Sequence, residues 1–191
     1  FVRDLTRSET MITRADCEYI VKKTPGLSIH KIGVDPVPER NEIRITVKPN
    51  STAAFPRLSD IYQREIRRWV ERCRMLTTKI LIRQPVYVAI HVKGVVSVRK
   101  HFVHCREQIE GTLRKMLDGV YSEAPFGSRI VFHALYERLK GMDCVEEVID
   151  LSVFPENYQW ADRDGMDIQL RPDALYYPGY IHIESVGRQE F

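Results

Sequence analysis

The 191 residues carry 29 Lys and Arg against 26 Asp and Glu, and are 43% hydrophobic and 29% charged. That balance suits a soluble globular protein of one domain or two small ones, and a net charge of +3 is too small to argue for nucleic acid by itself. No apolar run approaches the ~20 residues of a membrane-spanning helix.

The opening FVRDLTRSET lacks a signal-peptide core and an initiator Met, as expected of a piece of a longer polypeptide, and residues 1–11 read as an arm or the end of an upstream domain. Thr13 and Asp16 have the spacing of a helix start, with Cys17, Ile20 and Val21 on its apolar side and Thr24-Pro25-Gly26 as its stop. Leu27–Val34 is a strand candidate, followed by a turn-rich connection to Asn41. Glu42–Lys48 alternates Ile43, Ile45 and Val47 with Glu42, Arg44, Thr46 and Lys48, which predicts a half-buried strand with the polar set outward.

After a loop to Pro56, Ser59 starts the strongest helical pattern, whose stripe is Tyr62, Ile66, Trp69, Val70, Cys73 and Leu76. Arg57, Arg64, Arg67, Arg68, Arg72 and Arg74 fall on its other sides among Asp60, Glu65 and Glu71. With no aromatic platform between the arginines, a solvated face or a protein interface is a better reading than a phosphate surface, and pairs such as Asp60–Arg64 would neutralise part of it. Leu76–Val98 is the longest strand-favouring stretch, with Pro85 marking a break between two strands. It reads as the joint between two modules, residues 12–84 and 85–191.

The second module predicts a helix over His101–Leu117, a turn at Pro125-Phe126-Gly127, and a helix capped by Ser128 with Val131, Ala134, Leu135 and Leu139 inward. A strand over Cys144–Phe154, a polar loop over 155–167 and a strand over Leu175–Val186, bent at Pro178-Gly179, complete it. The fold class expected is α+β: two small α/β-sandwich modules of ferredoxin-like type in tandem, with mixed or antiparallel sheets and helices on one face.

Chemistry is sparse. Cys17, Cys73, Cys105 and Cys144 are far apart without a CxxC, and are expected as buried free thiols in a reducing compartment. His101, His104 and Cys105 cluster, but Cys105 belongs to a core stripe, which leaves too few ligands for a metal. Asp162-Arg163-Asp164-Gly165-Met166-Asp167 has its Gly misplaced for a calcium loop and lacks the closing Glu, so it reads as a polar turn. Glu146 and Glu147 would point to opposite faces of a strand. No phosphate-binding, dinucleotide, zinc-protease or nucleophile-elbow motif occurs, so no catalytic residue, cofactor or metal is expected.

Four segments in order resemble a known family: TRADCEYIVKKTPGL (Thr13–Leu27), RMLTTKILIRQPVYVAIHVKGVV (Arg74–Val96), PFGSRIVFHALYERLKGMDCVEEV (Pro125–Val148) and LYYPGYIHIESV (Leu175–Val186). They are similar to the "T-R-x-D-Y-E-x-L … P-G" opening, the "L-T-T … P-x-Y-V" centre, the "P-F-G … L-Y-x-x-L" segment and the closing strand of the baseplate J-like, or putative baseplate assembly, proteins of contractile phage tails and phage-tail-like particles. The resemblance spans most of residues 12–187 and implies the C-terminal part of a longer member. It further implies a wedge and assembly scaffold in the virion tail baseplate, assembled in the bacterial cytoplasm. The partners implied are other baseplate and tail proteins and further copies of itself, with neither membrane nor catalysis. On that reading Arg64, Arg67, Arg68, Arg72 and Arg74, with the edge strands near Pro85 and Pro178, are the candidate interface. The competing class is a nucleic-acid-binding α/β module. It needs aromatics on an open sheet face, which the outward set of Glu42–Lys48 lacks.

Overall fold

In the computed structural model, which describes residues 10–99, 102 and 104–187, the chain is α+β. It divides into two compact units between Val86 and Tyr87.

The first unit runs α1 (Arg14–Lys22), β1 (Ile29–Val37), a 3-10 turn (Pro38–Arg40), β2 (Glu42–Pro49), α2 (Asp60–Val70) and β3 (Lys79–Arg83). Thr13 and Asp16 close a reciprocal capping box, which satisfies backbone donors at the start of α1. β1 and β2 form an antiparallel hairpin, and Asn41 takes the left-handed conformation at its turn, φ 48°. α2 is the crossover that lets β3 pair with β2 in parallel, from Glu42↔Lys79 to Thr46↔Arg83. The strand order β1-β2-β3 makes β3 an edge. Cys17 and Val21 of α1, Ile66 and Val70 of α2, and Ile45, Val47, Ile80 and Ile82 of the sheet share one core. Trp69 Nε1 donates to the Ile20 carbonyl at 2.9 Å, fastening α2 to α1.

The second unit holds β4 (Val86–Val98), α3 (Cys105–Met116), β5 (Arg129–Ile130), α4 (Phe132–Lys140), β6 (Val145–Pro155), β7 (Ala161–Asp164), β8 (Asp167–Leu170) and β9 (Ala174–Gly187). Its larger sheet has the order β6-β4-β9, and a small sheet has the order β5-β8-β7. Ile90, Val92 and Val96 of β4, Leu151 and Val153 of β6, and Ile181 and Ile183 of β9 are buried, as are Ile109 and Leu113 of α3 and Leu135 and Leu139 of α4.

Several expectations are corrected. β2 is covered on both faces: Glu42, Thr46 and Lys48 are buried. Each charge has a neighbour there, Glu42 with Arg44 at 2.8 Å and Lys48 Nζ with His30 Nδ1 at 3.3 Å, and alternation alone cannot tell a covered polar face from a wet one. Cys105 and Cys144 are not free thiols. They form a disulfide between the start of α3 and the turn before β6, with Cα atoms 5.6 Å apart. The 39-residue separation hid the pair, because only the packed fold brings those two element starts together. Ser128 does not cap α4; its hydroxyl donates to the Pro125 carbonyl, and Val131 and Ala134 are exposed. The stretch read as a loop over 155–167 contains β7 and the turn to β8, with Gly165 at φ 64°. Glu146 and Glu147 are both exposed, since a register shift opposite Ser97 and Val98 breaks the alternation.

Candidate protein interface

α2 begins at Ser59, whose Oγ accepts the Tyr62 N–H at 3.3 Å, and Asp60 lies in its positive first turn. Ile66 and Val70 are its buried residues. The helix ends at Val70, earlier than the sequence stripe implied, because the chain must turn to feed β3. Tyr62 and Leu76, assigned to that stripe, are exposed, Leu76 at 97%.

The five arginines proposed from the sequence are not one surface. Arg74 is a clasp: its Nη1 donates to the carbonyls of Met75, Leu76 and Thr78 at 3.3, 3.1 and 3.3 Å, and its Nε donates to Glu71. Asn41 Nδ2 grips the same turn by donating to the Thr77 carbonyl at 2.8 Å. Arg68 pairs with Glu65 at 3.3 Å, and Arg64 Nε reaches the Asp60 backbone carbonyl rather than its carboxylate. Arg67 and Arg72 are exposed, and their guanidinium groups have no hydrogen bond or ion pair with any described residue.

Gripped from both sides, the turn presents Leu76 and the 40%-exposed Met75 to solvent. Beside it a groove of about 380 Å³ is lined by Arg67, Glu71, Arg74, Thr77, Lys79 and Leu81, among others. A free guanidinium, an ammonium, two exposed apolar side chains and the edge of β3 therefore lie together. This combination can hold a carboxylate-bearing, partly apolar protein segment. The apolar part escaped sequence reasoning, because Leu76 fits the helical period and nothing local signals that the helix has already ended.

Of the edge strands proposed, β3 stands at an edge just before the buried Pro85, and β9, an edge of the β6-β4-β9 sheet, runs unbroken through the half-buried Pro178. The aromatics missing from β2 occur in the second unit. Tyr180 stacks on His182 with ring centres 5.8 Å apart, His91 and Phe154 lie 5.5 Å apart, and Lys93 Nζ sits 5.8 Å from the Phe154 ring. The same strands expose Glu147, Asp150 and Glu184 as well as Lys93.

The chemistry weighed elsewhere is occupied. Arg129 Nη2 bridges Asp164 and Asp167 at 2.9 and 2.8 Å, so those two acids are paired with a guanidinium. His104 pairs with Glu107 at 3.1 Å and Cys105 is in the disulfide; His101 lies outside the described residues. Burial, with Asp16 nearby, pushes the Cys17 thiol up to about 11, which leaves it unreactive. Among the described residues, no helix is long and apolar enough to cross a membrane.

No protein-family model and no curated protein matches the sequence. Solved structures match it in fold. The fold is similar to a chain in the cryo-EM structure of the anti-feeding prophage baseplate, six-fold symmetrised, with a TM-score of 0.67 and 15% identity over 93% of this chain. This chain spans 39% of the length of that one. The similarity is one of fold, and it embraces both units.

Proposed function

We propose that this chain is a structural part of the baseplate of a contractile phage tail or phage-tail-like particle, a wedge or assembly scaffold that works by protein–protein contact and not by catalysis. The fold similarity to an anti-feeding prophage baseplate chain across 93% of the residues carries this reading. The four ordered segments that resemble baseplate J-like proteins support it from the sequence. On this reading residues 12–84 and 85–191 are two modules of a longer wedge protein, located in the tail baseplate and assembled in the bacterial cytoplasm. The partners are neighbouring tail proteins and further copies.

The contact surface proposed is the groove between α2 and β3, with Arg67, Arg72, Met75 and Leu76 as its reaching side chains. Arg67→Glu with Arg72→Glu should exclude the protein from particles, or from a complex with its neighbouring tail proteins, while each change alters fold stability by less than about 0.5 kcal/mol. Arg74→Ala should behave differently and destabilise the fold by about 1–3 kcal/mol, because it strips a charged donor from three carbonyls. Denaturant unfolding and co-purification separate the two effects. Normal particles built with the double variant would sink the interface.

A further inference from the structure

We infer that the partner of the β3 edge is a second copy of this chain, which offers its acidic β6 edge, so that copies associate head to tail. The inference rests on the α2–β3 face being an interface and names what fills it.

Among the described residues, β3 has β2 on one side and no strand on the other, and β6 stands likewise beside β4. Their charges are opposite. β3 is Lys-Ile-Leu-Ile-Arg, with Lys79 and Arg83 exposed and no acid, Lys79 lying 3.9 Å from the buried Glu42, and the exposed Arg67 adds to it from the α2 side of the groove. β6 carries no cation and exposes Glu146, Glu147 and Asp150. Each edge also has an apolar contact to offer, Met75 and Leu76 by β3 and the 57%-exposed Ile149 on β6.

Charge therefore selects the pairing. Two β3 edges repel, two β6 edges repel, and only β3 against β6 brings opposite signs together. Charged edge strands and bulges are the usual guards against indiscriminate strand addition. β6 has both, with register shifts opposite Val95/Val96 and Ser97/Val98, so a partner must match its charge as well as its backbone. In such a joint Ile80 and Ile82 would continue the apolar layer of Val148, Leu151 and Val153. The contact joins different patches of the two copies, β3 of one to β6 of the other.

Sedimentation velocity of the full chain tests this. The wild type should self-associate with rising concentration at low salt, and high salt should weaken it. Lys79→Glu with Arg83→Glu, and separately Glu147→Lys with Asp150→Lys, should each weaken association about tenfold or more; the β6 variant should keep the wild-type unfolding midpoint, and so should Arg83→Glu alone, which leaves the Lys79–Glu42 pair at 3.9 Å in place and still weakens association. An equimolar mixture of the two variants should regain it, since the reversed β6 edge of one meets the reversed β3 edge of the other. A chain that stays monomeric at low salt, or variants that associate as the wild type does, or a mixture with no recovery, would overturn the head-to-tail contact. If it fails while the Arg67 and Arg72 variant is still excluded from particles, the groove remains an interface for another tail protein. If that variant also assembles normally, the interface reading falls too.

Discussion

Asp167 shows how one side chain can decide a local structure. Its Oδ1 accepts the Phe132 N–H at 2.8 Å, and its Oδ2 takes Arg129. α4 has no cap of its own at Val131, so this carboxylate from β8 serves as one, at the positive end of the helix. The Phe132 N–H first, then the Arg129 hydrogen bond, hold its pKa below the usual carboxylate range. A carboxylate lowered in the folded state contributes stability above its unfolded pKa and loses that contribution as pH falls through its folded value. The second unit should therefore weaken with acid. Asp167→Asn, which keeps an acceptor but no charge, should melt lower at about pH 7, and the gap should narrow as pH falls below about 4 and through the lowered folded pKa. Melts followed by Trp160 fluorescence in a Trp69→Phe background would check this; a gap that persists in acid would contradict it. Arg74 carries the same lesson for the candidate site. It shares residue type and spacing with Arg67, yet one is committed to three carbonyls and the other is open to a partner. Local sequence could propose arginines as a class but could not sort them, because the sorting depends on where a turn places its carbonyls.

Elements were largely legible wherever period and punctuation agreed. Pro85 falls between β3 and β4, the capping residues Thr13 and Ser59 stand where the sequence put them, and Asn41 turns the β1–β2 hairpin. Legibility failed where an element depends on distant partners. β5 and β7 are short and hold together only through β8. β6 follows no clean alternation because of its register shifts against β4. Gly94 in β4 marks the close approach of those two strands. A Cβ there would lie 2.9 Å from the Asp150 carbonyl oxygen and 3.3 Å from Ile183 Cδ1. Since the nearer atom is backbone, Gly94→Ala should push β6 away and destabilise the second unit by about 1–3 kcal/mol. Urea unfolding read through Trp160 would measure it, and an unchanged midpoint would mean the strands give way without cost.

At the scale of the whole molecule the units differ in how they are tied. The second has a disulfide across 39 residues, and the cysteines of the first, Cys17 and Cys73, are free. By the chain-entropy account a loop of that length stabilises by about 4 kcal/mol. Reductant, or Cys105→Ser with Cys144→Ser, should therefore lower the unfolding transition seen by Trp160. It should leave the transition seen by Trp69 in a Trp160→Phe background in place. Thiol titration of the unfolded, unreduced protein should find only Cys17 and Cys73; four reactive thiols would remove the staple.

The sequence by itself determined the α+β class, the break at Pro85, the helix starts at Thr13 and Ser59, and the basic character of the α2 region. These follow from short-range physics: side-chain period, capping and proline's missing donor. Only the tertiary structure decided which arginines are spent and which are free, that Leu76 faces water, that both faces of β2 are covered, and that Cys105 meets Cys144. Each of those depends on which residues distant in sequence become neighbours, and no local pattern encodes that.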